Sequence, residues 1–356
     1  MIHPVAYGPI ASSIVGQLLG GAPANLSAYR YWALFNSIGT TNISFGEIAM
    51  RESAAGPDLT GGQPSFQSSS FNASFDSARG FDDDVETRWA ASGWYKQFVG
   101  IDLGTAKAVA KLDVTAGNAF TNEVPTAFVV AGSDDGTTFV PVQLIETTPW
   151  GVREARNFDI LPEADIDPSA PHRYWRFRIL QRSGAFSAEI TSFDLLDVNN
   201  TSLIDPNTGA ASASGGANPQ DAFDGNSNSW WNVANADGNA TLLWDAGAGN
   251  ALSPASYSLA VSGANEGPVG WAVQCSDDGT NWKTFDGRLN QADWLANEKR
   301  TFVVARTPDF DVSEINAYSA VQSEGTSVSE LGGFAAAVPA GVQVSELNSY
   351  AAVRAQ

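Results

Sequence analysis

Cysteine, histidine and positive charge are all scarce in this chain. Cys275 is the single cysteine among 356 residues, so no disulfide can form within the chain and a disulfide-stapled scaffold is excluded. Histidine occurs only at His3 and His172, and neither has a nucleophile beside it in a pattern that suggests a catalytic triad. Charged residues make up only 16% of the chain, and 39 acidic against 19 basic side chains give a formal net charge of −20. Such a surface repels phosphate backbones and anionic headgroups, which sets nucleic acid aside as a partner and leaves neutral glycans, cations such as calcium, or basic protein surfaces. No apolar run is long enough to span a bilayer, so membrane insertion is not expected. The opening stretch MIHPVAYGPIASSIVGQLLGGAPA lacks a basic segment and is broken by Pro4, Pro9 and Pro23. An ordinary export signal is therefore not expected, and folding in a cytoplasm is.

What is abundant is Gly, Ser, Thr, Asn and aromatic residues, the composition of many short strands joined by turns. The chain also repeats itself. Arg30-Tyr31-Trp32 returns as Arg173-Tyr174-Trp175, Glu47-Ile48 as Glu189-Ile190, Phe81-Asp82 as Phe223-Asp224, and Trp89 as Trp231. The run SDDGT at 133–137 recurs at 276–280, and Phe158 matches Phe302, so the offset stays between 142 and 144 throughout. One domain has been duplicated. With the RYW strand pair placed first in each unit, the expected organisation is an arm at 1–28, jelly rolls at 29–165 and 166–306, and a tail at 307–356. In the alternative phase, the second RYW pair closes the first unit instead.

Local patterning is that of strands. In HRYWRFRIL, Trp175, Phe177 and Ile179 alternate with Arg176 and Arg178, which gives one buried and one wet face. Ala110, Leu112 and Val114 alternate with Lys111 and Asp113 in the same way. Asp135-Gly136 and Asp278-Gly279 sit between apolar runs and suit tight hairpin turns. The fold class expected is all-β, two jelly-roll sandwiches followed by short-strand repeats. Those repeats are VSEINAYSAV, VSELGGFAAAV and VSELNSYAAV, which start at 312, 328 and 344, 16 residues apart. Three such strands bury little alone, so they are expected to pack on the second domain or on other subunits of a homo-oligomer.

The ordered set FDDDVETRW, FVGIDLG and FVVAGSDDGTTF, with an RYW strand and a Glu-Ile strand, resembles the discoidin family (coagulation factor type C, related to family 32 carbohydrate-binding modules). The second copy, FDGNSNSWW, LLWDAG and WAVQCSDDGTNW, resembles it too, and Asp83 stands where the family has Gly. The resemblance implies an eight-stranded jelly roll without catalytic activity, a sugar site in loops at one end, and a structural calcium ion near the Asp-rich loop. The RYW pair ahead of the loop, together with the VSE-type tail, is similar to an arrangement in tail-associated proteins of bacteriophages.

The candidate calcium ligands are Asp82, Asp84, Thr87 and Glu47 in the first copy and Asp224, Asn226, Ser229 and Glu189 in the second, oxygen donors of the kind calcium takes. The same Asp, Asn and Ser residues also suit turns held by local hydrogen bonds. Candidate ligand-binding residues are Trp94, Tyr95, Phe120 and Trp150, in expected loops, with Arg79, Asn118 and Asn122 nearby. The second copy offers Asn232, Asn235 and Trp294. Trp32, Trp175, Trp89 and Trp231, as repeat anchors, are assigned to the cores, and Cys275 to a core strand as an inert thiol.

These features lead to a virion structural or adhesion protein, folded in the host cytoplasm, that contacts other virion proteins and presents its domains to host-surface glycans. A secreted or surface lectin and a purely architectural virion protein are the alternatives. A glycosidase is a third reading, in which a carboxylate pair would act in catalysis.

Overall fold

A computed structural model of the chain describes residues 26–37, 43–118, 123–182, 187–234 and 239–304. The N-terminal arm up to residue 25, the tail repeats, Phe120, Asn122 and Asn235 lie outside the described residues. Strands β1 (Ala28–Asn36), β2 (Ser44–Phe45), β3 (Glu47–Arg51), β4 (Ser65–Gln67), β5 (Trp89–Ala90), β6 (Phe98–Ala108), β7 (Lys111–Thr115), β8 (Ala127–Ser133), β9 (Val140–Glu146) and β10 (Ala155–Asp159) form the first group. They pair antiparallel as a five-stranded sheet β4-β6-β1-β8-β9, a three-stranded sheet β10-β7-β3 and the small pair β2-β5.

The second group comprises β11 (Tyr174–Arg182), β12 (Ala188–Leu196), β13 (Ala210–Ala213), β14 (Trp231–Val233), β15 (Thr241–Asp245), β16 (Ser256–Val261), β17 (Pro268–Ser276), β18 (Lys283–Arg288) and β19 (Lys299–Val303). Its sheets run β13-β15-β11-β17-β18 and β14-β12-β16-β19. Among the described residues the ladders stay within one group or the other. The RYW strand β1 pairs with β6 and β8, and its counterpart β11 pairs with β15 and β17, so each RYW strand closes the sandwich that follows it.

Period-two alternation fills each core. Trp32 and Leu34 of β1, Val99 and Ile101 of β6, and Phe128 and Val130 of β8 meet Ile48, Met50, Leu112 and Val114 from the facing sheet. Trp175, Phe177 and Ile179 of β11 meet Phe193, Tyr257 and Leu259 in the second sandwich. Each such side chain contributes about 1.5–3 kcal/mol by leaving water. The anchors Trp32, Trp89, Trp175 and Trp231 are all buried, and so is Cys275, whose thiol is pushed up to about 12 chiefly by burial.

The repeated motifs make repeated contacts. Arg30 grips Asp102 with two hydrogen bonds of 2.8 Å, and Arg173 grips Asp245 at 2.7 and 2.8 Å. The same two aspartates accept the backbone N–H of Gly104 and Gly247 at 2.8 Å. In the SDDGT hairpins, Asp135 accepts from the N–H groups of Thr137 and Thr138, and Asp278 from those of Thr280 and Asn281. Those bonds hold both carboxyl groups below the usual carboxylate range.

One face of the second sandwich differs from the sequence expectation. The alternate positions on β1 and β11 are not simply wet. Ala33 and Phe35 pack with Val129, Ala131, Leu180, Ala272 and Leu289 in a third apolar cluster between the five-stranded sheets of the two sandwiches. Arg178 reaches Glu146 of the first sandwich at 3.6 Å, and the Arg176 guanidinium stacks 4.1 Å from the Trp282 ring. Burial pulls the pKa of Arg178 down and that of Arg176 to about 10. The alternation is real, but its second face is covered by the neighbouring sandwich.

Candidate ligand-binding cleft and Asp-rich loops

The chain leaving β4 makes two one-turn 3-10 helices, Ala73–Phe75 and Ser77–Gly80, before the Asp-rich loop. Asn72 starts the first by accepting the Ser74 N–H at 2.8 Å. Buried Trp89 anchors the far end, its indole donating to Ser69 O at 3.1 Å.

Within the loop, Thr87 donates its hydroxyl to Asp82, with 2.8 and 3.0 Å to the two carboxylate oxygens, and Asp82 also accepts from the Asp84 N–H at 3.2 Å. The second copy builds the same turn: Ser229 donates to Asp224 at 2.7 Å, and the Asn226 N–H donates to Asp224 at 2.8 Å. Asp83 holds a left-handed φ of 59°, the conformation its counterpart Gly225 adopts at 70°. The loop therefore keeps its shape without the glycine.

The two expected calcium sites differ at their glutamates. In the second copy Glu189 is satisfied: Asn232 donates to Oε1 at 3.0 Å, and Ser262 donates to Oε2. Asn232 thus braces Glu189, and both oxygens of that carboxylate are hydrogen-bonded. In the first copy Glu47 accepts the Ile48 N–H at 3.2 Å through Oε1, while its buried Oε2 has no hydrogen-bond partner. Burial, aided by the charges of Asp82 and Asp83, raises this carboxyl to about 7. An orphaned carboxylate oxygen near two more carboxylates fits a cation. Among the described residues no three Asp, Glu, His or Cys side chains gather as a metal-binding group, so carbonyl oxygens would have to complete the shell.

Beside this loop lies an open cleft of about 390 Å³, lined by Ser74, Phe75, Arg79, Glu86, Thr87, Arg88 and Asn118. Arg88 lies over the Phe75 ring at 4.8 Å and donates to Asn118 Oδ1 at 3.1 Å. The Asn118 amide in turn donates to Glu86 O at 2.7 Å. Gly117 permits this packing, since a Cβ there would fall 2.8 Å from Arg88 Cδ. Arg79 pairs with Asp82 at 3.3 Å. The cleft thus offers an aromatic edge, fixed amide and hydroxyl groups, and two arginines matched by Asp82 and, 3.6 Å from Arg88, by Glu123.

The expected ligand residues fall in different places. Arg79 and Asn118 line the cleft. Trp94, about half exposed, and Tyr95 form a separate shelf, their rings 6.3 Å apart. Trp150 is a correction: it is buried, its indole donates to Pro125 O at 3.1 Å, and Arg156 covers its ring at 4.2 Å. Trp294 repeats that arrangement with Pro268 and Arg300, so both indoles are core elements closed to a sugar. Phe75 and Arg88 were not singled out from the sequence. A signal was there in SSSFNASFDSARG, where two phenylalanines stand in an otherwise polar stretch.

Residues 65–190 match the F5/8 type C domain family model. The chain therefore carries a discoidin-like domain, of a kind that binds ligands and is typically non-catalytic. The F5/8 type C match starts at β4 and ends within β12, so it takes its closing strands from the RYW pair that hydrogen-bonds in the second sandwich. In this chain the first sandwich is closed instead by β1 to β3, which precede the matched segment. A search of curated proteins finds no match to the chain.

Proposed function

We propose that this chain is a carbohydrate-binding protein without catalytic activity, whose first sandwich takes a sugar in the cleft between Phe75, Arg88 and Asn118. The observation that carries this reading is the cleft itself, set beside the Asp-rich loop of a segment matched by the F5/8 type C domain. Sugar rings are recognised by an apolar face against an aromatic edge and by hydroxyls on fixed polar groups, and the cleft has both. Residues suited to nucleophilic catalysis have other roles here. Cys275 is buried, and His172 is buried with Nδ1 2.9 Å from Asp277 and Nε2 2.7 Å from Asp167 O.

A calcium ion at Glu47 belongs to the same reading. Glu47 and the carbonyls of the Asp-rich loop would hold it, and its charge would keep the Glu47 carboxyl ionised at neutral pH. The second copy, with its glutamate satisfied, is read as a discoidin-like fold without an ion.

The setting we propose is a virion, where the chain would act as a tail-associated or decoration protein and a homo-oligomer. Its support is the sequence alone: the RYW pair ahead of the loop and the repeated tail. Mass spectrometry of purified particles that lack the protein would refute this setting. For the sugar reading, the test is a glycan array probed with the full chain, with calcium and again with chelator. Retention of a defined glycan class supports it. No retention under either condition leaves a purely architectural protein.

A further inference from the structure

The two sandwiches meet through strands that hold the same place in each repeat. Ser37, the residue after β1, donates to the carbonyl of Leu180, its counterpart by sequence offset near the end of β11. Strand β9 packs on its counterpart β18, where a Cβ added to Gly287 would fall 2.5 Å from Pro141 Cγ. Val129 and its counterpart Ala272 share the apolar cluster of the seam. Equivalent strand ends therefore converge.

Two loops are joined across this seam by specific bonds. Asn36 fixes the first, donating to Trp94 O at 2.8 Å and accepting the Gln97 N–H at 2.8 Å. The same Asn36 offers its carbonyl to the Gln181 amide at 3.1 Å, and Gln181 accepts the Asn290 N–H at 2.8 Å, which holds the second loop. At the surface Lys96 closes the span with an ion pair to Asp293 at 2.8 Å. Two residues along the chain from Lys96 and from Asp293 stand Trp94, 51% exposed, and Leu295, 70% exposed.

We propose that these loops form one binding edge, shared by both sandwiches, for a neutral oligosaccharide of several rings. The inference rests on the sugar-binding reading above and adds a ligand length and a second contributing sandwich. Each part has its chemistry. Trp94 offers an aromatic face for the apolar side of a sugar ring, and Leu295 adds an exposed apolar side chain on the second sandwich. Lys96 and Asp293 neutralise one another, so the edge presents donors and acceptors for hydroxyls without selecting an ion. The apolar cluster and the Asn36–Gln181–Asn290 chain tie the two loops together, which lowers the ordering cost for a ligand that reaches both.

The test uses the full chain on immobilised galacto-, manno- and N-acetylgluco-oligosaccharides, from monosaccharide to hexasaccharide. For the series that wild type retains, affinity is expected to rise by about tenfold or more from the shortest to the longest members. Leu295→Asp and Lys96→Ala should flatten that rise while leaving the melting temperature and the binding of the shortest members unchanged. Binding that ignores chain length, or a rise that survives both substitutions, overturns the shared edge and leaves the cleft reading standing. No binding to any member by wild type overturns both.

Discussion

Ser37 gives its hydroxyl hydrogen to the main-chain carbonyl of Leu180, a residue 143 positions further on that occupies the same place in the second repeat. The bond lies in a seam where Ala33, Phe35, Val129 and Ala131 of the first sandwich are sealed against Leu180, Ala272 and Leu289 of the second. The two sandwiches therefore share a packed apolar seam.

The seam predicts joint unfolding. Calorimetry of the full chain should show residues of both sandwiches melting in one transition. Ala131→Asp, which places an unpaired carboxylate in the seam, should cost about 3 kcal/mol or more and separate the two melts. An unchanged single transition in this variant would contradict the seam's role.

Asp83 predicts a gain. It holds the left-handed conformation that Gly225 holds in the other copy. Asp83→Gly should raise stability by about 0.5–1 kcal/mol, measured by urea unfolding. It also removes one of the charges that raise Glu47, so the Glu47 carboxyl should titrate lower in the variant.

Glu47 predicts a pH dependence of definite sign. Its carboxyl is raised from 4.5 to about 7, so the folded state keeps a proton that the unfolded state has lost. In calcium-free buffer this group's contribution to stability should therefore fall as pH rises from about 4.5 to about 7 and level off above. Glu47→Gln should remove that slope, and added calcium should stabilise wild type at pH 8 but not the variant. Thermal melts across pH, with chelator and with calcium, check both statements.

Trp94 and Trp150, both candidate ligand residues by sequence, should behave in opposite ways. Trp150→Ala empties a core site under Arg156 and should cost about 3–5 kcal/mol. Trp94→Ala, at a half-exposed position, should change stability by less than about 0.5 kcal/mol while weakening glycan retention. Denaturant midpoints separate the cases.

Much of the fold was legible because strands declare themselves by period two and repeats by a constant offset. Trp32, Trp89, Trp175 and Trp231 are core residues, as their recurrence implied. What the pattern could not show was which partner covers the second face of β11, because Arg176 and Arg178 look the same whether water or another sheet lies beyond them. The site was legible in part for a related reason. Asp82 and Thr87 do meet, yet a loop sequence does not say whether its carboxylates close a turn or point at an ion. Trp150 misled because an aromatic residue between Pro149 and Gly151 reads as an exposed loop, whereas Arg156 folds back over it. Phe75 and Arg88 escaped because their meeting depends on two loops brought together only by the fold.

The central claim is that the cleft of Phe75, Arg88 and Asn118 is a sugar site. The most direct measurement is calorimetric titration of the best-retained array glycan into wild type, Phe75→Ala and Asn118→Ala, with melting temperatures recorded alongside. The account predicts an affinity loss of about tenfold or more in each variant, with melting temperatures close to wild type. Equal affinity in all three proteins would contradict it.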